Sequence, residues 1–215
     1  PKSFHAFRKM KKAGGEKWED LQSDYRSISR LTESKKSSNY AVNTSIVASP
    51  KYKNKFSDIT SKTKVNSKIA RETRRCVSLN TDSNTENYAV LNVISGETMQ
   101  KGRLGVFGGS LKLDTDGVKP NSIILTHNHP NSSSFSDDDV GTLFTIKELK
   151  GIVAGGHDGT VYYLEIPTHQ KVDISDHHAY NNIMMEWRRE YIKNHSSHEA
   201  VKSLAKKYGW RYEVR

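Results

Sequence analysis

The segment Thr126-His127-Asn128-His129-Pro130, followed by Ser136 and Asp139, most constrains what this chain can fold into. It asks for a strand, a stop, a loop and a helix, in that order. Ser122-Ile123-Ile124-Leu125 is a short apolar run rich in β-branching. Pro130 has no N–H to offer a ladder, so the strand is expected to end at His129. Asn131-Ser132-Ser133-Ser134 reads as loop. Ser136 precedes Asp137, Asp138 and Asp139 and then the apolar Val140, Leu143, Phe144, Ile146 and Leu149, which is the pattern of an N-cap opening an amphipathic helix.

Side chains two apart on a strand share a face, so His127 and His129 can grip one metal ion. Asp139 falls in the first turn of the expected helix, where the loop can fold it back onto both imidazoles. Asp137 and Asp138 in the same turn are alternative ligands. Two imidazoles and a carboxylate suit Zn²⁺, and three protein ligands leave a fourth position open, the catalytic pattern. A structural site is closed by four ligands, usually with cysteines, and the chain has only Cys76. A bare His-x-His pair among nine histidines would mean little. The strand, the Pro stop, the polar loop and the acid-bearing cap supply the context such a motif requires.

A hydrolytic zinc site also needs a group that takes a proton from water and returns it to the leaving group. Glu86 is the candidate. It lies in Asn84-Thr85-Glu86-Asn87-Tyr88, just ahead of Ala89-Val90-Leu91-Asn92-Val93-Ile94, a strand expected to end at Ser95-Gly96. Spacing alone does not separate Glu86 from a solvated glutamate at a strand end.

His127-Asn128-His129-Pro130, Ser136-x-x-Asp139 and the upstream Glu86-Asn87-Tyr88-Ala89-Val90-Leu91 together resemble the JAMM (MPN+, JAB) zinc metalloproteases, a family that includes deubiquitinating isopeptidases and RadC-like proteins. The resemblance covers roughly residues 80 to 166. It implies an α+β fold, a cytidine-deaminase-like mixed sheet flanked by helices, here with helical N- and C-terminal extensions. It also implies that His127, His129 and Asp139 hold Zn²⁺, that Glu86 is the general acid/base, and that Ser136 helps hold an oxyanion. The implied reaction is hydrolysis of a peptide or isopeptide bond in a protein or peptide substrate. Five residues separate Pro130 from Ser136, where the family pattern has six. Within that family the chain is most similar to JAMM-like C-terminal domains of phage minor head proteins. The cues are Tyr52-Lys53-Asn54-Lys55-Phe56-Ser57-Asp58-Ile59-Thr60, the Phe-Ser-containing loop and Lys206-Lys207-Tyr208-Gly209-Trp210. A phage head or host protein is therefore an expected partner.

Charge divides the chain. Residues 1–80 hold 19 Lys and Arg against 7 Asp and Glu, and residues 81–215 hold 15 against 17. The net +12 half reads either as an arm for nucleic acid or another polyanion or as a solvated, docking surface. The expected organisation is a basic helical arm and linker over 1–50, a helical connector over 51–80, the zinc domain over 81–170 and C-terminal helices over 171–215. In the arm, Trp18, Leu21, Tyr25, Ile28 and Leu31 form an apolar stripe on a helix near 16–31. Residues 32–50 read as linker, and 64–77 as a helix with Val65, Ile69 and Val77 inward and Arg71, Arg74 and Arg75 outward. Cys76 reads as a small buried residue.

Strands are expected over 151–156 and 160–166, joined by a turn at His157-Asp158-Gly159. Helices are expected over 176–195 and 197–208, with Ile183, Met184, Trp187 and Tyr191 packing. His177, His178, His195 and His198 lack strand, Pro and acid context and read as surface. No apolar run is long enough to cross a bilayer, so the chain is expected to be cytoplasmic and away from membranes, and the resemblance to phage head proteins implies association with a virion.

Overall fold

A computed structural model describes residues 40–79, 83–104 and 113–215. The helix expected near 16–31, and with it most of the basic arm, lies outside them. The described chain is α+β, built on a six-stranded mixed sheet of order β2-β1-β3-β4-β5-β6. The strands are β1 (Glu86–Asn92), β2 (Thr98–Leu104), β3 (Ile123–His129), β4 (Leu149–Gly156), β5 (Val161–Glu165) and β6 (Arg211–Val214). Only β3 and β4 pair in parallel. A parallel pair needs a crossover, and the helix carrying Asp139 lies in it.

The sheet is covered on both faces because its central strands are apolar on both. Ala89, Leu91, Ile124, Val153 and Tyr163 point to one side and join the core formed with α1 (Thr44–Val47), α2 (Pro50–Asn54) and α3 (Thr63–Ser78). Tyr88, Val90, Ile123, Leu125, Ile152 and Leu164 point to the other, where α4 (Asp137–Thr145), α5 (His177–Asn194) and α6 (Ser197–Tyr208) pack. Adjacent residues such as Ile123 and Ile124 serve opposite cores, as the strand's two-residue period requires.

Helix α3 follows its expected pattern. Val65, Ile69 and Val77 are buried, Arg71 is exposed, and Arg74 and Arg75 are half-buried. Cys76 is a buried free thiol whose pKa burial pushes up to about 12. The helix sits close to the sheet at Gly155, where a Cβ would come within 2.8 Å of Thr73 Cγ2 and 2.9 Å of Val77 Cγ2.

The linker reading of residues 32–50 fails from Asn43 onward. Asn43 caps α1, Val47 is buried, and Ser49 with Pro50 opens α2. Serine and asparagine are common in linkers for the same reason that they cap helices: their side chains bond backbone N–H groups. Strands β2 and β6 were not anticipated. Strand β2 lies at one sheet edge, alternating half-buried and exposed residues. Strand β6 follows Gly209, whose φ of 70° ends α6, and it pairs with β5, so residues beyond 170 share one sheet with residues 86–165. In α5, Ile183, Met184 and Trp187 are buried, and half-buried Tyr191 stacks on Trp187. No described helix is long and apolar enough to cross a membrane.

Lys171 is buried, and its amine donates to the carbonyls of Ile146 and Leu149 near the end of α4. Burial pushes its pKa down from 10.5 to about 7, against the opposing charges of Glu148 and Glu165. Between those two values the unfolded chain binds the proton and the folded chain does not, so stability rises with pH across that window. Urea unfolding between pH 7 and 10 is expected to show Lys171→Met lacking a component of slope up to about 1.4 kcal/mol per pH unit. Parallel wild-type and variant curves would refute this.

Candidate metal centre

Strand β3 ends at His129, next to Pro130, as its sequence requires. The tight turn that follows returns the Ser132 N–H to the His129 carbonyl at 2.9 Å. Ser136 then caps α4 in a reciprocal box: its hydroxyl accepts the Asp139 N–H, and the Asp139 carboxylate accepts the Ser136 N–H. The box folds Asp139 back toward the strand end. Asp139 Oδ1 lies 3.2 Å from His127 Nε2 and Oδ2 lies 3.5 Å from His129 Nε2. One donor atom from each of the three residues falls within 4.8 Å of the others, so this buried group could hold a metal ion.

Donor chemistry supports that fit. His129 Nδ1 lies 2.8 Å from the Ser133 carbonyl, which can only accept, so Nδ1 carries a hydrogen, and in the neutral ring Nε2 is the nitrogen left to present a lone pair to the cluster. The two Nε2 atoms are 2.7 Å apart. Two imidazole lone pairs that close repel unless a proton or a cation lies between them. His127 Nδ1 is buried without a hydrogen-bond partner.

Electrostatics run the same way. Burial lowers the His129 pKa, but the hydrogen bond and charge of Asp139, with Glu86 behind them, outweigh it and raise the value to about 9. For Asp139 burial acts upward, and the charges and hydrogen bonds of His127 and His129 win, holding the carboxyl well below its ordinary range. The cluster thus favours a positive centre against a carboxylate, the condition a metal cation also meets.

The loop before α4 is pinned from below. Tyr162 donates its hydroxyl to the Ser132 carbonyl at 3.0 Å, and the hydroxyls of Ser134 and Tyr212 are 2.7 Å apart. Phe135 is fully buried, with its ring centroid 6.3 Å from that of His129 and 6.4 Å from that of His127. At the first turn of α4, buried Arg188 of α5 bonds Asp137 Oδ2 through Nε at 2.9 Å and a terminal nitrogen at 2.5 Å. That pairing settles the choice among the three aspartates. Asp137 faces Arg188, Asp138 is exposed, and Asp139 faces the histidines.

Glu86 opens β1. Tyr88 pairs with His127 at the end of the β1–β3 ladder, and Glu86, two residues earlier on β1, shares the face of Tyr88 and so of both histidines. Glu86 is half-buried, and its charge is felt at His129. Ser136 lies at the cluster, where its hydroxyl donates to Asp139 Oδ2 at 2.7 Å. A hydroxyl has one proton, so in this arrangement Ser136 orients the carboxylate and does not simultaneously donate to an oxyanion.

Two polar residues behind the metal face escaped sequence reasoning. Asn128 is fully buried and bonded to the start of β1, and His157, read from the sequence as a turn residue with a site-lining role as the alternative, is buried against Asn128. The sequence signal was the middle position of His-Asn-His, which the strand period sends to the opposite face. His198 also departs from its surface reading: it is half-buried, with Nδ1 2.8 Å from the Tyr212 hydroxyl, whereas His177, His178 and His195 are exposed. Comparison with protein-family models, with curated proteins and with solved structures returns no match to this chain.

Proposed function

We propose that the chain is a zinc-dependent hydrolase of the JAMM type that cleaves a peptide or isopeptide bond. The observation carrying this reading is the convergence of His127, His129 and Asp139 at the end of β3, with Glu86 on the same sheet face. Zinc held there supplies Lewis acidity toward a carbonyl oxygen and lowers the pKa of a water to about 7. Glu86, half-buried and with its charge felt at His129, takes a proton from water and delivers it to the leaving amine. Ser136 keeps Asp139 turned toward the histidines, and it can serve an oxyanion only by giving up that bond. The Ser133 carbonyl holds His129 in the tautomer that leaves Nε2 open.

The test pairs metal analysis of the purified full chain with a screen against peptides and isopeptide-linked substrates. Stoichiometric zinc with chelator-sensitive cleavage supports the reading. Zinc without cleavage of any substrate points instead to a metal-stabilised domain of a phage head protein.

A second reading rests on the charge partition, net +12 over residues 1–80. It makes the chain a polyanion binder, and it requires nucleic-acid affinity that falls steeply with salt and survives zinc removal.

A further inference from the structure

We propose that Asn128, between the two histidine ligands, is a positioning residue that holds Glu86 in register with the metal centre. The assignment rests on the hydrolytic reading for what Glu86 does, but the geometry stands separately. Backbone pairing between β1 and β3 runs from Asn92↔Ile123 to Tyr88↔His127. Beyond that point the Asn128 side chain takes over. Its Oδ1 accepts the Asn87 N–H at 2.7 Å, and its Nδ2 donates to the Thr85 carbonyl at 3.0 Å.

Those two groups belong to the peptide planes on either side of Glu86. Holding both fixes the backbone angles of Glu86 and therefore where its side chain starts. A carboxamide suits this task because one end accepts and the other donates, and its orientation is set by the partners: an N–H can only donate and a carbonyl can only accept. The second Nδ2 hydrogen meets His157 Nε2 at 3.1 Å, while His157 Nδ1–H donates to the Tyr40 carbonyl at 2.6 Å. Asn128 and His157 are 0% and 1% exposed. In this dry setting an unmade bond costs more than at the surface.

The strand's alternation gives this arrangement its consequence. His127 and His129 face the metal side, Asn128 faces the α3 side, and one strand thus carries both the ligands and the clamp for the proton carrier. Strand β2, on the far side of β1, pairs with Glu86 through Leu104, and the bonds that join the Glu86 segment to β3 come from Asn128.

Three measurements on the full chain test this. In the wild type, a scalar coupling across the hydrogen bond from the Asn87 amide to Asn128 Cγ is expected, and its absence overturns the clamp. That measurement needs no variant and stands even where a substitution prevents folding. Asn128→Leu keeps the branched outline of the side chain with added bulk, and it removes both hydrogen bonds to β1 together with the one to His157. It is expected to speed Asn87 amide exchange by about tenfold while Val90 is unchanged. Loaded with Co²⁺, the same variant is expected to retain one ion per chain yet lose the metal-induced shift of the Glu86 amide. Wild-type exchange and shift in Asn128→Leu would mean that Asn128 only fills space, and the proposal would fall. If instead Glu86→Gln cleaves substrate like the wild type, the hydrolytic role of Glu86 fails, and the coupling and shift still decide the clamp.

Discussion

Glu86→Gln is expected to leave zinc in place and to lower cleavage by roughly 10²- to 10⁴-fold, the range general acid–base catalysis supplies. The amide keeps the shape of the side chain and loses its ability to carry a proton. Glu86 is not among the three residues whose donor atoms converge, so metal content should not change. The loss should appear in kcat with KM nearly unchanged, because proton transfer is felt in the transition state. Steady-state kinetics beside metal analysis checks both halves. A variant that loses zinc would make Glu86 a ligand, and one that keeps full activity would remove it from the chemistry.

Arg188→Leu is expected to destabilise the fold by about 3 kcal/mol, the lower end of the cost of breaking a buried ion pair by removing one partner. The pair is enclosed: the side chains of Arg188 and Asp137 are 6% and 9% exposed. The variant strands the Asp137 carboxylate, but Asp137 is the first residue of α4, and the positive end of that helix compensates part of the charge. Asp139 sits two residues further along the same turn, so zinc affinity should fall as well. Urea unfolding with and without added zinc measures both effects. The double variant Asp137→Asn with Arg188→Leu should recover much of the loss, because no charge is then left buried alone. Equal stability of Arg188→Leu and wild type would show the pair to be unimportant.

Some of this was legible in the sequence because local rules and tertiary demands agree. Pro130 stops a strand whatever packs against it, Ser136 caps a helix through its own hydroxyl, and alternation alone puts His127 and His129 on one face. The hairpin at Asp158-Gly159 was legible for the same reason, since Gly159 adopts a φ of 90°. Strand β6 was not. Its Arg211-Tyr212-Glu213-Val214 is mostly half-buried at a sheet edge and gains its place only by pairing with β5, a long-range event that four residues do not announce. The anchoring of the loop by Tyr212, the selection of Asp139 through Arg188, and the bonding of Asn128 to β1 all join residues more than forty positions apart. Type and spacing in the sequence point to the three residues whose donor atoms converge. The groups that hold them became visible only once the sheet was assembled.

The central claim is that His127, His129 and Asp139 form a metal site, and metal analysis of freshly purified protein tests it most directly. Mass spectrometry of the wild type should find close to one zinc per chain, as expected for a single three-ligand centre, with little in His129→Ala or Asp139→Ala. Wild-type protein that is folded yet takes up no zinc or other divalent metal on reconstitution would contradict it.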